Sequence, residues 1–133
     1  VQLLRLRPAF EGCDVSFATV HPASASEVPG ADFYSFRDAS RKDWWHIFGS
    51  TVDNLRIVLR VRPNVIVTTG ALPPLTAILI GRLIGARTLF IDSVANSERL
   101  SSSGKFATWL AHRTVTQWPA LATGSVPYWG SVL

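Results

Sequence analysis

Three observations predict an α/β fold with a layered parallel sheet. A Val/Ile run after Pro63 closes in Thr68-Thr69-Gly70, and a second run, Thr88-Leu89-Phe90-Ile91, closes in Asp92-Ser93. Between them, Pro74 to Gly85 is apolar and long enough for one helix. Two strands joined by one helix form a βαβ unit, whose strands run parallel and whose loops open together at the carboxyl ends. Strand and helix patterns alternate along the rest of the chain, as an α/β layered sheet requires.

Taken in order, Val1, Leu3, Leu4, Leu6 and Phe10 fall on a helix-like apolar stripe that Gly12 stops. Asp14 to Thr19 alternates as a strand. A Pro/Ser/Ala-rich loop runs to Ala31, and Phe33 to Phe36 reads as a short strand. Arg37 to Asp43 is a charged loop. Trp44, Phe48, Val52, Leu55 and Leu59 recur at helical steps, which predicts a helix with that face buried. Asp53, Arg56 and Arg60 then occupy its solvated side. Pro63 ends the helix. Beyond the βαβ unit, Lys105 to His112 is helical, Thr114 to Thr116 is a strand, and Val126 to Trp129 is the last strand. No repeat or inner linker interrupts residues 1–133, which read as one domain.

With 133 residues and 47% apolar content, the chain can bury a core. Its single cysteine, Cys13, excludes an internal disulfide and suits a reducing compartment. It reads as a small residue leading into a strand, not as a reactive thiol. The net charge of +4, carried by eleven Arg and two Lys, favours an anionic partner without choosing among phosphate, acidic lipid and nucleic acid. Ala71 to Ala86 contains two prolines and Arg82. It is shorter than the roughly 20 residues a membrane span needs, so the chain is expected to touch a membrane without crossing it.

Two loops carry the candidate chemistry. Thr69 and Gly70 sit where a strand hands over to a helix, whose free N–H groups and dipole suit a phosphate or diphosphate. The same residues also fit an ordinary βα turn. Pro73 and Pro74 suit a first helical turn. The second loop, Asp92 to Gly104, gathers two carboxylates (Asp92, Glu98), Arg99, Asn96 and the serines Ser93, Ser97, Ser101, Ser102 and Ser103. Hydroxyls beside a guanidinium can hold a sugar diphosphate. The alternative is a polar loop in which Ser103 or Gly104 leads into the next helix. Asp92, at the end of an inner strand, is the stronger functional candidate of the two carboxylates. His21, His46 and His112 show no metal-ligand spacing, and no metal or cofactor is expected. There is no GxGxxG, P-loop or GxSxG. Trp44-Trp45 reads as core packing first and as the lining of a groove second.

On these residues the chain resembles the family of asparagine-linked glycosylation protein fourteen and its bacterial exopolysaccharide relatives. The resemblance is strongest from Pro63 onward: Asp92-Ser93, then Glu98-Arg99-Leu100-Ser101, Ser103-Gly104-Lys105, Gln117-Trp118-Pro119-Ala120-Leu121 and the terminal Tyr128 to Val132. The order of elements is also similar to the N-terminal half of the murein N-acetylglucosaminyltransferase. The resemblance implies a Rossmann-like, membrane-associated acceptor half of a two-subunit, GT-B-like glycosyltransferase. A separate subunit, similar to glycosylation protein thirteen, would supply most of the UDP-sugar site, and this chain would be inactive without it. The acceptor would be a polyprenyl- or dolichyl-diphosphate-linked sugar, with transfer by inversion. N-acetylglucosamine is the sugar in eukaryotic relatives; glucuronate, galactose or glucose serve in bacterial ones.

By the same resemblance, Thr69, Gly70, Ser93, Asn96, Arg99, Ser101, Ser103 and Gly104 would surround the acceptor. Asp92 or Glu98 would orient or deprotonate its hydroxyl. Leu75, Leu79 and Arg82 would meet the lipid surface on the cytoplasmic face of the membrane, the inner membrane in bacteria or the endoplasmic reticulum in eukaryotic relatives. The family's first strand and its Ser/Gly-Gly-His loop would precede Val1, so the resemblance implies an N-terminally truncated domain. A noncatalytic membrane scaffold that recruits the donor-binding subunit is the second reading. A nucleic-acid-binding domain has only the charge behind it, and no nucleic acid partner is expected.

Overall fold

The computed structural model describes residues 2–37, 44–69 and 73–132. Among them, α1 (Gln2–Arg5) and a 3-10 turn (Arg7–Phe10) replace the single N-terminal helix of the sequence pattern. Pro8 explains the break: its missing N–H and its ring disfavour a continuous α-helix there. Then come β1 (Ser16–Thr19), a 3-10 segment (Pro22–Glu27), β2 (Asp32–Ser35) and α2 (Trp44–Val61). The βαβ unit follows as β3 (Val65–Thr69), α3 (Pro73–Leu83) and β4 (Arg87–Ile91), and α4 (Ser102–Leu110) leads to β5 (Arg113–Val115). The charged loop after Arg37 lies largely outside the described residues.

All strand pairs are parallel, in two sheets ordered β1-β2 and β3-β4-β5. Their register sets the carboxyl edge of the sheet. Thr69 stands opposite Ile91, and Ile91 opposite Val115, so the chain leaves β3, β4 and β5 at one level. The core lies between this sheet and the helices over it, where Leu75 and Ile78 of α3 meet Phe90 of β4 and Ala107 and Ala111 at α4. Leu75, expected at a lipid surface, belongs to this core because its position on α3 faces β4. Among the described residues, no helix is long and apolar enough to cross a membrane.

The packing of α2 corrects the sequence reading. Phe48, Leu55 and Leu59 are exposed, as is Trp45, so the apolar stripe turns outward. The buried positions include Ser50, Asn54 and Val58, spaced by four and lying roughly a third of a turn away from the stripe, with Gly49 beside them. Small and polar residues select this face. The Asn54 amide donates to Thr76 Oγ1 of α3 at 2.8 Å, a bond that a bulkier apolar contact would displace.

Asp53, expected in solvent, instead ties α2 to the end of β2. Its Oδ2 accepts from the Arg37 backbone N–H at 3.0 Å and from Arg37 Nε at 2.9 Å, and its Oδ1 accepts from Nη2 at 3.1 Å. The hydrogen bond from Arg37, with further help from its charge, holds the Asp53 carboxyl below its ordinary range.

The helix α2 ends at Arg62, which adopts φ 47° and donates to the Val58 carbonyl at 2.8 Å. This is a left-handed helix stop, followed at once by Pro63. At the other end of the sheet, Thr88 joins β4 to the turn before β5. Its Oγ1 accepts from the His112 N–H at 2.9 Å, while its own N–H donates to His112 Nδ1 at 3.1 Å. The expected last strand, Val126 to Trp129, is reduced to one parallel bridge between Thr116 and Tyr128. Pro127 within it has no N–H to extend a ladder.

Candidate functional site

At the carboxyl edge, one loop dominates. Asp92 is the first residue beyond β4 and only 1% exposed. Its carboxylate points back into the loop. Ser101 Oγ donates to Oδ1 at 2.6 Å, the Ser101 N–H donates to Oδ2 at 3.0 Å, and Asn96 Nδ2 donates to Oδ1 at 3.4 Å. Ser101 Oγ also accepts from the Gly104 N–H at 2.8 Å, which makes Ser101 the N-cap of α4. The negative charge of Asp92 therefore lies against a helix N-terminus, where the dipole favours it.

Gly104 permits that approach, since a Cβ there would stand 3.2 Å from both the Asp92 carboxyl carbon and Ser101 Oγ. The α4 helix thus begins at Ser102, three residues earlier than the sequence pattern placed it, because the cap and the carboxylate fix its first turn.

The loop is also held from β5. Gln117, buried just past that strand, donates from Nε2 to the Asp92 carbonyl at 2.8 Å and accepts on Oε1 from the Val132 N–H at 3.1 Å. Trp118 Nε1 donates to the Val94 carbonyl at 2.8 Å. Ser93 caps its own turn, accepting from the Ala95 N–H at 3.2 Å while its carbonyl accepts from the Asn96 N–H at 3.1 Å. Sequence reasoning assigned no role to Gln117 or Trp118. The available signal was a polar residue directly after a strand that ends at the functional edge.

The predicted residues therefore separate into two groups. Asp92, Ser93, Asn96, Ser101 and Gly104 form one hydrogen-bonded frame, with Ser103 buried beside it in the first turn of α4. Glu98 and Arg99 stand exposed on the loop between its two fixed ends, and among the described residues neither has an ion-pair partner. Glu98 is thus the carboxylate open to solvent, and Asp92 is the one that shapes the loop.

On β3, Thr69 is half-buried. Thr68 is 7% exposed, and its hydroxyl has no hydrogen-bond partner. Gly70 lies outside the described residues. Of the expected lipid contacts, Leu79 is exposed, whereas the exposed Arg82 donates to the Leu110 carbonyl at 2.9 Å and links α3 to the end of α4. Among the described residues, no three His, Cys, Asp or Glu side chains come together as a metal site.

No family model matches this chain, and no curated protein matches it in sequence. Among solved structures it is similar to MurG of Acinetobacter baumannii, with a TM-score of 0.71 and 14% sequence identity. That match covers 94% of this chain and 39% of the MurG chain, so the present chain spans about two fifths of its neighbour. At this identity the likeness establishes the fold alone: a Rossmann-like, parallel-stranded α/β unit.

Proposed function

We propose that this chain is the acceptor-binding half of a glycosyltransferase, acting on a polyprenyl-diphosphate-linked sugar with a UDP-sugar donor held by a second subunit. The observation that carries the reading is the frame around Asp92 on a GT-B-like fold. It spends one carboxylate on fixing a loop whose middle presents Glu98 and Arg99 at the carboxyl edge of the sheet. Such edges are where open α/β sheets bind ligands.

In this reading Glu98 takes the acceptor proton, Asp92 positions the loop, and Arg99 meets the diphosphate or the sugar. The start of α3, after Thr69, offers its positive dipole end to the diphosphate, although Pro73 and Pro74 there have no N–H to donate. The partner is a donor-binding subunit similar to glycosylation protein thirteen, and the site of action is the cytoplasmic face of a membrane.

The outward stripe of α2 supports the membrane part. Trp45, Phe48, Leu55 and Leu59 are exposed beside Arg56 and Arg60, and Leu79 and Leu83 are exposed on the neighbouring α3. Apolar and aromatic side chains flanked by arginines suit an anionic bilayer surface. It keeps Leu79 of the expected contacts and leaves out Leu75, which is buried.

The burial of Asp92 also favours the second reading, a noncatalytic scaffold, because it removes one of two candidate bases from solvent. Turnover of Glu98→Gln in the assembled full-length complex separates the two. A catalytic role predicts a loss on the order of 100- to 10,000-fold, whereas a scaffold predicts none.

A further inference from the structure

The amino edge of the three-stranded sheet, opposite the Asp92 loop, carries a second cluster. The register places Val65 opposite Arg87 and Leu89 opposite Arg113. Alternate residues of a strand share a face, so these four side chains lie on one face of the sheet. It is the reverse of the face on which Phe90 packs under α3 and α4. Arg87 and Arg113 stand one strand apart and two residues out of step, which puts their Cβ atoms about 8 Å apart. Together with Trp129 these residues line a cavity of about 280 Å³, and no carboxylate lines it.

The cluster is fixed in place and left unpaired. Next to the two arginines, Thr88 and His112 clasp the starts of β4 and β5. The Thr88 N–H donates to His112 Nδ1 at 3.1 Å, and the His112 N–H donates to Thr88 Oγ1 at 2.9 Å. The segment carrying Trp129 is held on both sides. Before it, the Thr116 N–H donates to the Pro127 carbonyl at 3.1 Å. After it, the Val132 N–H donates to Gln117 and the Val132 carbonyl accepts from Arg5 Nη1 at 2.7 Å. Trp129 is nonetheless 63% exposed. Among the described residues, neither Arg87 nor Arg113 has a carboxylate partner, and neither guanidinium stacks on the Trp129 ring. Two like charges and an open indole around one cavity add nothing to the chain's own packing.

We propose that this cavity binds a small molecule that joins a phosphate group to a flat ring, of which a nucleoside monophosphate is the simplest form. Guanidinium forks match phosphate oxygens and give charge-assisted hydrogen bonds. A phosphate that accepts from both arginines also cancels their mutual repulsion. The indole of Trp129 offers a stacking surface to any base, because every base has a π-face. Val65 and Leu89 supply the apolar floor beneath the ring. The volume lies near the lower end of ordinary ligand sites, about 300–1,000 Å³, and suits one phosphate with one ring better than a larger cofactor. The site lies at the other edge of the sheet from the Asp92 loop, so the inference is independent of the glycosyltransferase reading.

Calorimetric titration of the full-length protein with adenosine monophosphate, inorganic phosphate and adenosine tests it. Adenosine monophosphate should saturate one site and bind at least about tenfold more tightly than inorganic phosphate, the scale of one stacked base. Adenosine, which lacks the phosphate, should bind more weakly than either. Arg87→Gln and Arg113→Gln should each weaken binding of the monophosphate at least about tenfold, the scale of one charge-assisted hydrogen bond. Both side chains are exposed, so circular dichroism should be unchanged. Trp129→Leu should bring the monophosphate down to the affinity of inorganic phosphate. A protein that adenosine monophosphate does not saturate overturns the inference, and so does binding that is indifferent to both arginine substitutions in folded variants. Equal affinity for the monophosphate and inorganic phosphate, or wild-type binding by Trp129→Leu, overturns the assignment of the ring.

Discussion

Replacing Ser101 with alanine removes one oxygen that makes two bonds at once. The hydroxyl caps α4 by accepting from the Gly104 N–H at 2.8 Å, and it donates to Asp92 Oδ1 at 2.6 Å. Loss of an N-cap costs about 1 kcal/mol. Loss of a hydrogen bond to a buried charge costs about 1.5–3 kcal/mol. Oδ1 would keep only the 3.4 Å contact from Asn96, while the Ser101 N–H still serves Oδ2 at 3.0 Å. The two losses share one atom and do not add in full, so we expect about 2–3 kcal/mol in all. Urea unfolding followed by circular dichroism should show this as a lower midpoint with an unchanged slope. A cycle with Asp92→Asn isolates the pair, with a coupling of about 1–2 kcal/mol expected. A Ser101→Ala cost below about 0.5 kcal/mol, or no coupling to Asp92, would refute the view that the serine and the carboxylate hold the loop together.

The Asp53–Arg37 contact carries a pH signature. Because the folded Asp53 carboxyl is lowered, its contribution is complete above the unfolded value, about 3.9, and fades as pH falls through the folded one. Asp53→Asn should therefore cost a little stability at neutral pH, on the scale of a surface ion pair, and the difference from wild type should shrink as pH drops below about 4; a difference that grows as pH falls contradicts the assignment. For the membrane surface, Phe48→Glu with Leu55→Glu should weaken binding to anionic vesicles at least about tenfold while leaving the helical signal intact, since both side chains are already exposed. Unchanged vesicle binding in that folded variant would place the contact elsewhere.

Sequence patterning exposed the βαβ unit because both strand runs are rich in apolar and β-branched residues and both end in loops of opposite character, Thr-Gly and Asp-Ser. It failed on α2 for a physical reason. Periodicity finds the apolar stripe, yet burial on α2 follows Ser50, Asn54 and Val58, chosen by close helix contact and by the bond to Thr76. A stripe that faces outward is indistinguishable from a core stripe until the neighbouring helix is placed.

Asp92 was legible as a residue at the functional edge, but its direction was not. That direction is set by Ser101, nine residues on, and by the cap of a helix whose start the pattern placed too late. Gln117 stood only in a motif of the resemblance, without a role, because the Asp92 carbonyl and the Val132 N–H that it bonds are backbone groups without a sequence signature.

On the proposed function, this edge serves an acceptor in sugar transfer. The most direct test is transfer of labelled sugar from the UDP-sugar to a polyprenyl-diphosphate-linked acceptor by the full-length protein assembled with its donor-binding subunit. The assembled wild type should turn over and neither subunit should do so alone. Glu98→Gln should reduce kcat by on the order of 100-fold or more with the complex intact. Transfer at the wild-type rate by an assembled Glu98→Gln complex, or by the donor subunit alone, would contradict the account.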